Sequence, residues 1–243
     1  MVKKLTVRAS LVFALTCALA GLWQVQAQDA TTKAPYPSMA PVEQYLIPDR
    51  DAEMTLARSA APESISRDAT VLVLGRHGYE TAVEGKTGFV CVVERNWMAP
   101  FDNREFWNPK NRGPVCYNPQ AARSVLPITI KRTEQVLAGK SKTQIQEWEK
   151  GAYARKELPA TLEAGAMAYM MSKNAYLTDE GSHNLAHLML YTPLMDKANW
   201  GADAPNSPII FLQQVPPEPF TVFLVPTGKW SDGTSAPLPK CCG

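Results

Sequence analysis

Two of the three histidines in this 243-residue chain, His183 and His187, stand four apart in "EGSHNLAHLMLYTP", just after Asp179. On a helix, residues four apart are neighbours, and two imidazoles there can share one zinc with Zn–N distances of about 2.0–2.1 Å. On a strand the same four residues span about 13 Å, too far for the rings to converge. The glutamate that a zinc-protease helix needs after its first histidine is replaced by Asn184. "AHLMLYTP" is short, apolar and closed by proline, so it reads as a strand with His187, Met189 and Tyr191 on one face. A metal site at His183 and His187 then requires the chain to fold back at 181–184. The third histidine, His77, lies in the glycine turn "GRHGYE". It is a solvated turn residue unless the turn and the pair meet at one sheet end. In that case His77 becomes a further ligand, or His187 and His77 become catalytic acid–base groups.

A second concentration of chemistry occupies residues 96–120, "NWMAPFDNREFWNPKNRGPVCYNPQ". Aromatic faces alternating with Asp102, Arg104, Glu105 and Arg112 suit a small molecule, a sugar or a protein partner. An irregular stretch this long in a compact domain tends to be functional, although a flap pinned by its own aromatics has the same composition. Trp97 directly follows an apolar run and is expected to pack on a sheet. Trp107 lies deep in the polar stretch and is expected to serve a ligand. The binding candidates are therefore Trp107, Asp102, Arg104, Glu105 and Arg112. Asp102 and Glu105 also form a carboxylate pair, but pairs three apart arise by chance too often to mark a glycoside hydrolase. "GKT" at 85–87 and "GKS" at 139–141 imitate a phosphate loop, yet each has glutamate, Glu80 or Glu134, where the loop needs its first glycine.

The compartment follows from the N-terminus. Lys3, Lys4 and Arg8 precede a mostly apolar run from Leu11 to Leu22, and Val25-Gln26-Ala27 has the small residues of a cleavage site. Residues 1–27 read as a signal peptide, and the mature chain as periplasmic or secreted. Its loss would take the formal charge from +2 to −1 and leave about 216 residues. A near-neutral chain has no global attraction for nucleic acid, and no later segment is long enough to span a membrane. Cys91 and Cys116, 25 apart, are expected to form a disulfide in an oxidising compartment. Cys241 and Cys242 end the chain in a short tail at 239–243 whose role stays open.

Residues 28–41 are polar and proline-rich and read as a disordered leader. A globular domain over 42–238 follows. A helix is expected from about Asp49 to Ala61 between two prolines. "TVLVL", "YETAV" and "GFVCVVER" (70–74, 79–83 and 88–95) read as a three-stranded meander with glycine turns. Asn118-Pro119 caps helical material that breaks near Pro127, and Ser141 with Gln144 forms a capping box for the next helix. Strands return at 167–171, 186–191, 209–213 and 220–225. The order strands, helices, strands predicts an α+β fold, with one mostly antiparallel sheet of about six or seven strands and two to four helices.

The run "TVLVLGRHGYETAVEGKTGFVCVVERNW", with "FWNPKNRGPVCYNP" and "VFLVPTGKWSDGT", resembles a group of uncharacterised exported bacterial proteins of unknown function. The resemblance implies a single exported domain and supplies no activity, cofactor or site residue. From the residues themselves the expectation is a ligand- or partner-binding domain, with a hydrolase, metal-assisted through histidines, as the alternative.

Overall fold

A computed structural model describes residues 34–179, 185–212 and 217–238. The signal-peptide reading, His183 and the terminal Cys241 and Cys242 lie outside the described residues.

Among the described residues eight strands form one sheet: β1 (Thr70–Gly75), β2 (Gly78–Val83), β3 (Val90–Glu94), β4 (Gly113–Tyr117), β5 (Met167–Met170), β6 (His187–Pro193), β7 (Ile210–Leu212) and β8 (Phe220–Pro226). Their order is β2-β1-β3-β4-β5-β6-β8-β7, and every neighbouring pair is antiparallel except β1 with β3. Five α-helices accompany them among the described residues: α1 (Arg50–Arg58), α2 (Glu63–Ser66), α3 (Pro119–Ser124), α4 (Leu126–Leu137) and α5 (Lys142–Ala154). The class is α+β in a single domain, with one strand and one helix more than the upper expectation. No helix among the described residues is long and apolar enough to cross a membrane.

Alternation along the strands assigns the two faces of the sheet. Val71, Val93, Cys91 and Cys116 point to one side, where Ala57 of α1 and Ile65 beyond it cover them. Leu72, Val92, Val115, Tyr117, Ala168, Tyr191 and Val222 point to the other, beneath Ala121, Leu126, Ile128 and Ala152 of α3 to α5. The helices start where local chemistry says they should. The Asn118 side chain accepts from the Ala121 amide at 2.9 Å with Pro119 next in line. Ser141 and Gln144 bond each other's backbone reciprocally. Each such cap is worth about 1 kcal/mol.

The meander is a correction. β1 and β2 do form a hairpin, but β3 crosses to the far side of β1 and runs parallel to it. The connecting loop passes tightly beneath the start of β1. Lys86 N donates to Asp68 O at 2.8 Å, and Gly85 N donates to Thr70 Oγ1 at 2.9 Å. A Cβ at Gly85 would collide with the backbone of Ala69 and Thr70, so glycine is what lets this crossing stay short.

A second correction lies inside residues 96–120, which contain strand β4. Cys91 and Cys116 face each other across β3 and β4, with Cα atoms 4.0 Å apart, and are joined as a disulfide. The part of the leader that is described, residues 34–41, also differs from expectation. Tyr36, Met39 and Ala40 pack against an aromatic cluster of Tyr45, Trp97, Phe101, Phe106 and Trp107.

Candidate functional site

Between the sheet and helix α4 lies a cavity of about 120 Å³. Its walls are mostly apolar: Val125 and Ile128 above, Met189, Val222 and Phe220 below, and Met98 at one side. Ala166 and Ala168 are buried in the same core, and the rings of Tyr117 and Tyr191 on the flanking strands approach to 6.4 Å. Tyr191 in turn meets Phe220 edge-on at 6.0 Å.

Two carboxyl groups, those of Glu94 and Glu218, and the guanidinium of Arg132 reach this cavity among the described residues, beside the phenols of Tyr117 and Tyr191. Glu94 ends β3 on the face of Val90 and Val92, opposite Gly113. Its Oε1 accepts from the Tyr117 hydroxyl and from Thr129 Oγ1, the latter at 3.0 Å. Its Oε2 accepts no hydrogen bond among the described residues, and Glu94 takes part in no ion pair among them. Burial raises the Glu94 carboxyl above the usual glutamate range, against the two hydroxyl donors and the more distant Arg132 charge, which pull it down. Tyr117 and Tyr191 are likewise pushed far up by burial, so both phenols stay protonated.

Arg132 is engaged on all sides. Its Nε and Nη2 donate to Glu149 at 2.5 and 2.8 Å, Nη2 also meets Glu218, and Nη1 donates to Trp97 O at 3.3 Å. Phe101 lies under the guanidinium at 4.5 Å. Burial disfavours the charge on Arg132, but the bonds and charges of Glu149 and Glu218 outweigh it and hold the group cationic. Sequence motifs mark none of these residues. The one available signal is the period of two in β3, which sends Glu94 inward with Val90 and Val92.

The sequence-predicted candidates are distributed differently. His187 is buried on β6, and its Nδ1 donates to Leu185 O at 2.5 Å; burial lowers its pKa, which keeps it neutral. It shares a face with Met189 and Tyr191, as read from the strand, without lining the cavity. His77 is exposed in the β1–β2 hairpin. Strands β2 and β6 are five places apart in the sheet, roughly 24 Å at about 4.8 Å per strand, so His77 and His187 do not converge. Among the described residues no group of three histidine, cysteine, aspartate or glutamate side chains could hold a metal ion.

Within residues 96–112 the polar side chains mostly bind each other. Glu105 accepts from Asn108 Nδ2 at 2.7 Å, from Thr178 Oγ1 at 2.8 Å and from the Asp179 amide at 3.1 Å. Asp179 gathers Tyr36, Tyr176, Lys110 and Asn108, and the phenol of Tyr176 heads the contacts that hold its carboxyl far below the usual range. Arg112 donates to Pro109 O and Asn111 O at 2.8 and 2.6 Å, and burial lowers its pKa to about 10. Trp107 is 5% exposed, with Phe106 edge-on at 4.7 Å and Tyr45 donating to its carbonyl at 2.9 Å. Trp107 thus packs in the cluster around Tyr45, which supplies the core that the polar neighbourhood seemed to lack, and it also lines the open cleft of Asp102 and Arg104. Asp102 and Arg104 line an open cleft with Lys140 and Lys142.

No protein-family model matches the chain, and no match was found among curated proteins or solved structures.

Proposed function

We propose that this chain is an exported binding domain whose ligand is a small molecule held in the cavity between the sheet and α4. Export is supported by the basic-then-apolar leader and by the Cys91–Cys116 disulfide, which persists in oxidising compartments. Binding rests chiefly on one observation: an apolar cavity whose wall carries a carboxylate with one oxygen committed and the other open to the space. A few convergent polar groups on otherwise apolar walls are what a small-molecule site consists of. Size bounds what sits inside: a cavity of about 150 Å³ holds a benzene molecule, so about 120 Å³ accommodates one compact group.

The test is a fragment screen by ligand-observed NMR, run in parallel on the wild-type chain and on Val222→Phe, which fills the cavity from β8. Overpacking of this kind costs about 1–3 kcal/mol and leaves most folds intact. Compact fragments that bind the wild type and lose binding to the filled variant are the expected result. Fragments that bind both equally, or none that bind either, would defeat the reading.

A further inference from the structure

We infer that the cavity selects a small organic cation, a primary amine on a compact apolar body, with Glu94 as its counter-charge. This rests on the small-ligand reading above and specifies its chemistry.

Charge around the cavity does not balance. Three carboxylates, Glu94, Glu149 and Glu218, surround the single guanidinium of Arg132, a formal excess of two negative charges. Arg132 gives its donors to Glu149, Glu218 and the Trp97 carbonyl, and none to Glu94. It therefore has no bidentate fork to offer an anionic ligand. Among the described residues Glu94 receives only hydroxyl donors, both on Oε1. Glu94 is half-buried, and a partly desolvated carboxylate without a cation is unfavourable, so an ammonium group entering the cavity relieves it directly.

The rest of the lining fits the same ligand. Tyr117, Tyr191 and Phe220 present aromatic rings, whose faces attract cations. Ile128, Val125, Met189 and Val222 supply apolar contact for a hydrocarbon body. A neutral alcohol finds the same apolar walls but leaves the charge excess in place. A carboxylate adds to it.

The experiment is isothermal calorimetry on the purified chain with three probes of one carbon skeleton: isopentylamine, isopentanol and isovalerate. A hydrogen bond to a charged group contributes about 1.5–3 kcal/mol, so isopentylamine should bind roughly 10- to 100-fold more tightly than isopentanol, and isovalerate should give no measurable heat. In Glu94→Gln the amine should lose that advantage and fall within about threefold of the alcohol, with a cooperative thermal melt of the variant reporting that it is folded. If the variant does not fold, the wild-type ratio of amine to alcohol decides alone. Alcohol binding as tight as or tighter than amine, or any preference for isovalerate, overturns the cation inference while leaving a small-ligand cavity standing. Failure of all three probes overturns both.

Discussion

Residues 96–112 and the cavity under α4 lie side by side and use polar groups in opposite ways. The first region holds most of the side chains that chemistry favours, yet Glu105, Asn108, Arg112 and Asp179 bind one another or nearby carbonyls, and the aromatic rings fill a core. The second is lined by residues that no motif marks, and there a carboxylate keeps one oxygen unengaged. Glu94 is half-buried on an apolar wall, and a carboxylate placed there with one oxygen unengaged among the described residues tells more about function than a group whose bonds are all made within its own stretch. The pair Arg95–Glu53 makes the same point from the other side of the sheet. Arg95 donates to Glu53 at 3.0 Å, to Tyr45 O at 2.7 Å and to Val93 O at 2.5 Å, and this closed network ties α1 to β3.

The largest effect should come from Arg132→Met, which strands Glu149 and Glu218 without their cation. Breaking a buried pair in this way costs about 3–5 kcal/mol, and urea denaturation would show it. A loss under about 1 kcal/mol would mean that Arg132 and the two glutamates do not form a buried ion pair of this kind, and the charge excess at the cavity would lose its support. Trp107→Ala comes next and sharpens the contrast. If the stretch is core, Trp107→Ala and Trp97→Ala should both destabilise by about 3–5 kcal/mol in thermal or urea melts. A Trp107 variant with wild-type stability would restore the stretch as a ligand surface. Asp102→Ala, on the exposed rim of the same stretch, should shift stability by less than about 0.5 kcal/mol.

A pH series isolates Glu94. Its folded pKa lies above its unfolded one, so between the two values the folded chain binds more protons than the unfolded chain. The Glu94 contribution is therefore most favourable below the ordinary glutamate pKa and is lost as pH rises through the raised folded value. Measured against Glu94→Gln, wild-type stability should decline from acid toward neutral pH. A difference that grows with pH would place Glu94 in a stabilising ion pair, and a flat one would mean that its environment does not raise its carboxyl.

Much of the fold was legible because its signals are local. The Asn118-Pro119 cap, the Ser141–Gln144 box and the apolar runs of β1, β3, β6 and β8 each declare themselves within a few residues. The faces followed from the period of two, which set His187, Met189 and Tyr191 together. Features decided at long range were not legible. β3 could lie on either side of β1, and only the tight crossing at Gly85 selects the parallel place. β4 hides in a stretch of proline and asparagine because its partner, not its propensity, makes it a strand. Trp107 looked exposed because its core comes from Tyr45, 62 residues away. Glu94, Thr129 and Arg132 converge across 35 or more residues, a distance at which spacing carries no information.

The central claim is that small molecules enter the cavity and not the aromatic stretch. Methionine methyls report on both, since Met189 lines the cavity and Met39 lies at the cleft beside Trp107. The measurement is a methyl NMR titration of methionine-labelled protein with isopentylamine. Met189 should shift saturably while Met39 stays in place. A Met189 signal that holds still, or a saturable shift at Met39 alone, would contradict the account.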